Sequence, residues 1–140
     1  MLSGLSLFFF FSCQVCCGPG LENIYEFLSG GKRRPAPDIA EAALNETDVR
    51  AYQAVVMFLS ILGQEAGNWA LRSLARGGVY IAGGITPKLI PILEKNACLE
   101  QSYLHKESRF SQVIESVPLI LITNDDIGLS GSCWYAIGSL

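Results

Sequence analysis

Two stretches of this 140-residue chain have residue types and spacing that could do chemistry. The first is a group of thiols. Cys13, Cys16 and Cys17 stand in "CQVCC", with Cys98 and Cys133 far downstream. A C-x-x-C pair is the unit of a redox dithiol or of half a zinc site. The chain has no second C-x-x-C, and its single histidine, His105, is distant in sequence. An odd count crowded at one end is not a disulfide framework either. We read these cysteines as ordinary thiols of a reducing compartment and expect no metal ligands among them.

The second stretch is "GGVYIAGGITP", Gly77 to Pro87. Four apolar residues lie between two glycine pairs, and Thr86 and Pro87 suit the start of a helix. It is not a P-loop, because the Lys-Ser/Thr ending is missing, and it is not G-x-G-x-x-G. Gly83 and Gly84 fall at the carboxyl end of a strand, where open α/β sheets bind ligands. Without Cβ atoms the backbone there can approach a flat or bulky ligand. The start of the following helix would favour an anion such as a phosphate. A tight strand-to-helix turn with no ligand explains the same residues, and the residues alone leave both readings open.

The elements that position this junction are legible on either side. "GPGLENIYEFL" reads as a glycine-proline turn and a short helix with Leu21, Ile24, Tyr25 and Leu28 on one side. "SGGKRRPAP" is a loop, its basic residues solvated. In "DIAEAALNE", Asp38 and Glu41 have capping-box spacing. Thr47 or Asp48 opens the longest helix, whose apolar positions include Val49, Tyr52, Val55, Leu59, Leu62 and Trp69. Its middle, "VVMFLSIL", is apolar all round and should be buried on most sides. Gly63 and Gly67 leave a smooth face for close packing. After the strand "VYIA", the helix "TPKLIPILEKN" should be short or kinked at Pro91. "CLEQSYLHK" and "SRFSQVIESV" look helical. "PLILIT" has no polar alternation, so it should be a strand buried on both faces of a parallel sheet. "NDDIGLSGSCWYAIGSL" closes with a turn and an apolar helix. The order strand, helices, strand, helix belongs to an α/β layered fold. Two parallel strands make an unstable centre by themselves, so we expect them to be part of a larger sheet.

"GPGLENIYEFL", "AGNWALRSLARGGVYIAGGITPKL", "SRF", "VPLILI" and "GLSGS" occur in the order found in bacterial-type glucokinases. From about Gly18 onward the chain resembles that family of ATP-dependent sugar kinases, which share the actin-like (ribonuclease H-like) architecture. The resemblance implies a fold: the C-terminal part of the large domain, helix-rich with about two parallel strands. It implies an activity for the whole family, transfer of the ATP γ-phosphoryl group to the 6-hydroxyl of glucose with magnesium. It implies cofactor contacts here at Gly83 and Gly84, which match the adenosine motif, and at Gly18 and Gly20, which lie near the nucleotide. "KESRF" departs from the family's K-G-R-F, and Cys17 stands where serine is usual. The family's phosphate loops, sugar-binding motif and Asn-Asp catalytic base are not among these residues, so we expect no catalytic residue and no magnesium ligand in this chain. "TNDD", Thr123 to Asp126, contains an Asn-Asp pair, but "GLSGS" follows at once, so we read it as a turn and cap. Glu65, Asp48 and His105 have nothing that points to catalysis.

The first 17 residues do not fit the resemblance. Leu5 to Phe11 is apolar but too short to span a bilayer. No Lys or Arg precedes it, and no cleavage site is clear, so a signal peptide is a poor match. We read residues 1–17 as a stub and 18–140 as the large-domain segment. The balance of charges, −3, gives no case for nucleic acid, and we expect no membrane partner. Half the residues are hydrophobic and 16% are charged, so the chain can build a core. The leading expectation is a cytoplasmic glucokinase-family segment that keeps the adenosine side of an ATP site and is inactive alone. The rivals are a non-catalytic protein that self-associates or docks on a full-length subunit, and a small secreted or tethered protein.

Overall fold

The computed structural model describes residues 14–104, 110–124 and 126–138. In chain order the elements are α1 (Gly18–Ser29), α2 (Ala36–Leu44), α3 (Val49–Ser73) and β1 (Val79–Ile81). A 3-10 turn (Thr86–Leu89), α4 (Ile90–Lys95), α5 (Cys98–Leu104), α6 (Ser111–Glu115), β2 (Leu119–Leu121) and α7 (Ile127–Gly138) follow. β1 and β2 pair in parallel, with Val79 opposite Leu119 and Ile81 opposite Leu121. The expected helix-rich α/β segment with two parallel strands is what forms.

The 25-residue α3 organises everything else. Of the two residues expected to open it, Asp48 is the cap, its Oδ1 accepting from the amides of Arg50 (2.9 Å) and Ala51 (3.3 Å). The buried stripe runs through small residues: Ala51, Ala54, Gly63, Ala66, Gly67 and Ala70. Val55, Phe58 and Leu59 fill the space between. Val49, expected on the apolar face, is 72% exposed, and Met57 is exposed too, so the helix is not buried all round. The stripe is narrow because small residues let neighbouring backbones approach. At Gly63 a Cβ would stand 2.2 Å from the carbonyl oxygen of Leu99 in α5. The expected close packing is therefore backbone to backbone.

Two apolar clusters share this helix. One joins its first half to α1, α2, the 3-10 turn and α4, through Leu21, Tyr25, Ile39, Phe58, Leu89 and Ile92. The other joins its second half to the strands, α5 and α6, through Ala70, Ile81, Tyr103, Ile114 and Val117. Leu62 and Leu99 pack against both. The Tyr103 hydroxyl is buried and donates to the Val117 carbonyl (2.9 Å).

Several boundaries differ from the sequence reading, each for a local reason. Gly18 and Gly20 lie inside α1 and not in a turn before it, because Pro19 is tolerated in a first turn whose N–H groups have no partner. α2 begins at Ala36 after Pro35, so Asp38 sits within its first turn and is not the cap. The Ala36 amide donates instead to Glu22 Oε1 of α1 (3.0 Å). Thr86 is not a cap either. It is buried inside the 3-10 turn, which Ile85 precedes in helical geometry. Pro91 falls in the first turn of a six-residue α4, as the expected interruption requires. β2 is half-buried along its length and not buried on both faces. α7 is apolar, yet none of its residues is buried. Arg34 of the expected solvated loop reaches Asp48 (3.6 Å), while Arg33 pairs with Glu26 (2.8 Å) at the surface.

Asp48 carries the main polar tie. The Tyr25 hydroxyl donates to its Oδ2 (2.8 Å), which joins α1 to the start of α3. That bond, then the Arg50 and Ala51 amides and the Arg34 charge, hold the Asp48 carboxyl below its usual range against the opposing effect of desolvation. A depressed carboxylate stabilises the fold above its unfolded pKa of about 3.9, and this is lost as pH falls through the folded value. The same bond, with burial and the Asp48 charge, pushes the Tyr25 hydroxyl up. Its contribution holds below about pH 10 and is lost as pH rises through its raised value.

Two measurements check this account. Gly63→Ala should destabilise the chain by about 1–3 kcal/mol in urea unfolding, because the Leu99 carbonyl cannot rotate away. A neutral result would mean that the two helices can separate freely. Asp48→Ala should cost about 1–2 kcal/mol at pH 7, and Asp48→Asn less, since the amide still caps. The wild-type urea midpoint should fall between about pH 5 and pH 3 more steeply than that of Asp48→Ala. Parallel acid limbs would remove Asp48 from the pH dependence.

Candidate functional site

The strand-to-turn junction forms because β1 is short and flanked by glycines. Gly78 has φ 109° and lies against Pro118, where a Cβ would meet the carbonyl oxygen at 3.0 Å. The Val79 amide donates to that same carbonyl (2.8 Å), and the Ile122 amide donates to Ile81 O (2.8 Å). These bonds seat β1 beside β2 and end the ladder just before Ala82. Gly83 then takes φ 126°, a conformation that side-chain-bearing residues rarely adopt. Nothing lies within 4 Å of a Cβ built at Gly83 or at Gly84, and both residues are exposed. Gly83 is therefore required by backbone shape, while Gly84 leaves open space.

Beside this turn is a cleft of about 580 Å³, within the range of small-molecule sites. One wall is α3, through Leu62, Glu65, Ala66 and Trp69. The floor is Val79 to Ala82, and the remaining wall is Cys16 and Cys17, just before α1. Trp69 is 38% exposed and Tyr80 is 58% exposed, so two aromatic faces stand open beside the cleft. The Arg72 guanidinium lies 5.8 Å from the Trp69 ring centroid. The Tyr80 hydroxyl donates to Gly77 O (3.2 Å), and the Glu65 carboxylate accepts from Asn68 (3.3 Å). The Cys17 thiol donates to Gln14 O (3.2 Å).

The four glycines expected to contact a cofactor are thus placed unequally. Gly83 and Gly84 are open at the end of β1. Gly18 is half-buried with Ala36 Cβ 3.8 Å from its own notional Cβ. Gly20 is buried, and a Cβ there would stand 2.0 Å from the Val15 carbonyl oxygen. Its bareness serves the packing of the chain before α1. The two segments come together through their neighbours, Cys17 and Ala82, which line the same cleft. Sequence reasoning missed Cys16, Cys17 and Tyr80 as lining residues. The spacing of Leu62, Ala66 and Trp69 was the signal for one helical face, but it was read as core.

Other expected features lie elsewhere. Asn124 makes a turn, its Oδ1 accepting from the Asp126 amide (2.9 Å), and Asp126 O accepts from Ser130 at the start of α7. Cys13, His105, Lys106 to Arg109 and Asp125 lie outside the described residues; Phe110 is exposed. Among the described residues no three His, Cys, Asp or Glu side chains converge on a metal site. No described helix is long and apolar enough to cross a membrane.

Residues 12–138 match the family model for glucokinase. The chain belongs to the glucokinase family. It is 44% identical to a glucokinase of Synechocystis sp. across 74% of this chain and 29% of that protein. It is 35% identical to one of Mesorhizobium japonicum across 88% of this chain and 37% of that protein. A glucokinase of Nostoc sp. is 37% identical across 88% of this chain and 43% of its own length. The chain thus spans between 29% and 43% of the length of these relatives. The crystal structure of a glucokinase from an Antarctic psychrotroph superposes with a TM-score of 0.76 at 29% identity, over 86% of this chain and 38% of that one. Within the glucokinase family frame, the turn after β1 and the cleft beside it fall inside the matched segment.

The two glycines of the turn should separate experimentally. Gly83→Ala should cost about 1–3 kcal/mol of stability, because its positive φ strains any side chain. Gly84→Ala should stay within about 0.5 kcal/mol, since it meets open space. Equal losses at both positions in thermal unfolding would overturn the assigned difference.

Proposed function

We propose that this chain supplies the adenosine side of an ATP site in a glucokinase-type enzyme that phosphorylates glucose at its 6-hydroxyl. The observation that carries the reading is the bare, open Gly83–Gly84 turn beside the 580 Å³ cleft. Family membership supports ATP and glucose as the substrates of the whole enzyme. The chain's own residues have a limited task. Gly84 lets a nucleotide lie against backbone. The aromatic and aliphatic walls of the cleft exclude water from one side of it. Phosphoryl transfer depends on positioning, a base and metal-held phosphates. We assign none of these last roles to the described residues, and we expect no turnover of glucose by these 140 residues alone. We read the location as cytoplasmic because the odd, crowded cysteine set is not a disulfide framework.

A titration with a fluorescent adenine nucleotide tests the reading. Gly84→Val should leave the unfolding midpoint nearly unchanged and weaken nucleotide binding by about tenfold or more, equal to ~1.4 kcal/mol. Unchanged affinity in a folded Gly84→Val chain would remove the turn from the site.

A second reading has its own observation. Leu129, Trp134 and Ile137 of α7 are 67%, 78% and 69% exposed, an apolar surface of the kind that marks association. We infer that α7 joins the chain to another copy or to a longer subunit. The triple variant Leu129→Ser, Trp134→Ser, Ile137→Ser should keep the wild-type melting temperature and lose concentration-dependent association in light scattering. Persistent association in the variant would place the contact elsewhere.

A further inference from the structure

We propose that the adjacent Cys16 and Cys17 thiols are a modification site, where a mixed disulfide with a small thiol such as glutathione closes the cleft to a nucleotide. This rests on the nucleotide reading given above. Both residues are half-buried and line the same cleft as Ala82, which stands at the root of the Gly83–Gly84 turn. Neither is in a disulfide. The other described cysteines have no such position. Cys98 is buried in the first core, and desolvation pushes its thiol up, which disfavours the reactive thiolate. Cys133 is exposed on α7 and lines no part of this cleft. Location therefore separates modification that matters from modification that does not.

The chemistry needs a low-molecular-weight disulfide as co-reactant, here oxidised glutathione. The thiolate of one cysteine attacks one sulfur of that disulfide. A new S–S bond forms to the protein as the old one breaks. The cysteine is oxidised, and the departing half is reduced and leaves as a thiolate, which takes up the proton the cysteine lost. A peptide-sized adduct hung from that wall would fill much of a cleft that is itself the size of a single ligand site. A thiol reductant reverses the step and reopens it.

The test uses the full chain, oxidised glutathione and a fluorescent adenine nucleotide. Mass mapping should find the adduct on Cys16 or Cys17. Nucleotide affinity should fall about tenfold or more, and dithiothreitol should restore it. In Cys16→Ser/Cys17→Ser the affinity, whatever its starting value, should be the same before and after treatment. Cys133→Ser should retain the wild-type sensitivity. Full modification of the pair with unaltered affinity sinks the inference alone, as does modification confined to Cys133. A chain that binds no nucleotide before treatment sinks the nucleotide reading, and this inference with it.

Discussion

Helix α3 approaches its neighbours closely because six of its nine buried residues are alanine or glycine. At Gly63 the backbone of α5 sits where a side chain would begin, with the Leu99 carbonyl 2.2 Å from a notional Cβ. That contact fixes the separation of α3 and α5. Leu62 and Leu99, beside it, pack into both apolar clusters. The first cluster then aligns α1 and α2, and the second seats the strands. A bulkier stripe would hold α5 away and leave β1 and β2 with only each other, which is not enough for a stable sheet.

The cleft inherits its shape from the same arrangement. Its α3 wall is the second half of the helix, and its floor is the strand that the second cluster holds in place. Its third wall is set by the other end of the molecule. Gly20 presses against the Val15 carbonyl, so the chain before α1 folds back over the helix and carries Cys16 and Cys17 toward β1. The Tyr25–Asp48 bond fixes α1 to the start of α3 and so keeps that wall from drifting. Two glycines that look alike in sequence thus do different work. Gly20 brings a wall close, and Gly84 leaves a space open.

Much of the fold was legible because the signals were local. The Asp48 cap, the helical run after it, the interruption at Pro91 and the two apolar strands all follow from short-range rules. The misreadings share one cause: the deciding partner was distant in sequence. Asp38 had the spacing of a cap, but Glu22, fourteen residues before Ala36, satisfies the helix start. Val49 fitted the apolar period, yet it is left largely exposed. Leu119 to Leu121 read as buried on both faces, and the structure covers them only in part. Apolar composition states what a strand can bury, and the neighbours decide what it does bury. For the candidate site, Gly83 and Gly84 were visible as a bare junction. Cys17 and Tyr80 were not, because a cleft wall is a relation between elements.

Open apolar surface occurs along the whole chain, at Phe27, Val49 and Leu74 as well as at Tyr80 on β1 and on α7. The helices of the first half bury apolar faces against one another and against the 3-10 turn, α4 and α5, and the loop arginines find carboxylates. The second half has strand and helix faces that no described residue covers. The cleft lies on the boundary between the two, with a well-packed helix on one side and a sparsely covered sheet on the other. A ligand placed there would contact both halves at once. It would add apolar contacts to the less covered half, so binding would stabilise the sheet more than it stabilises α1 and α2.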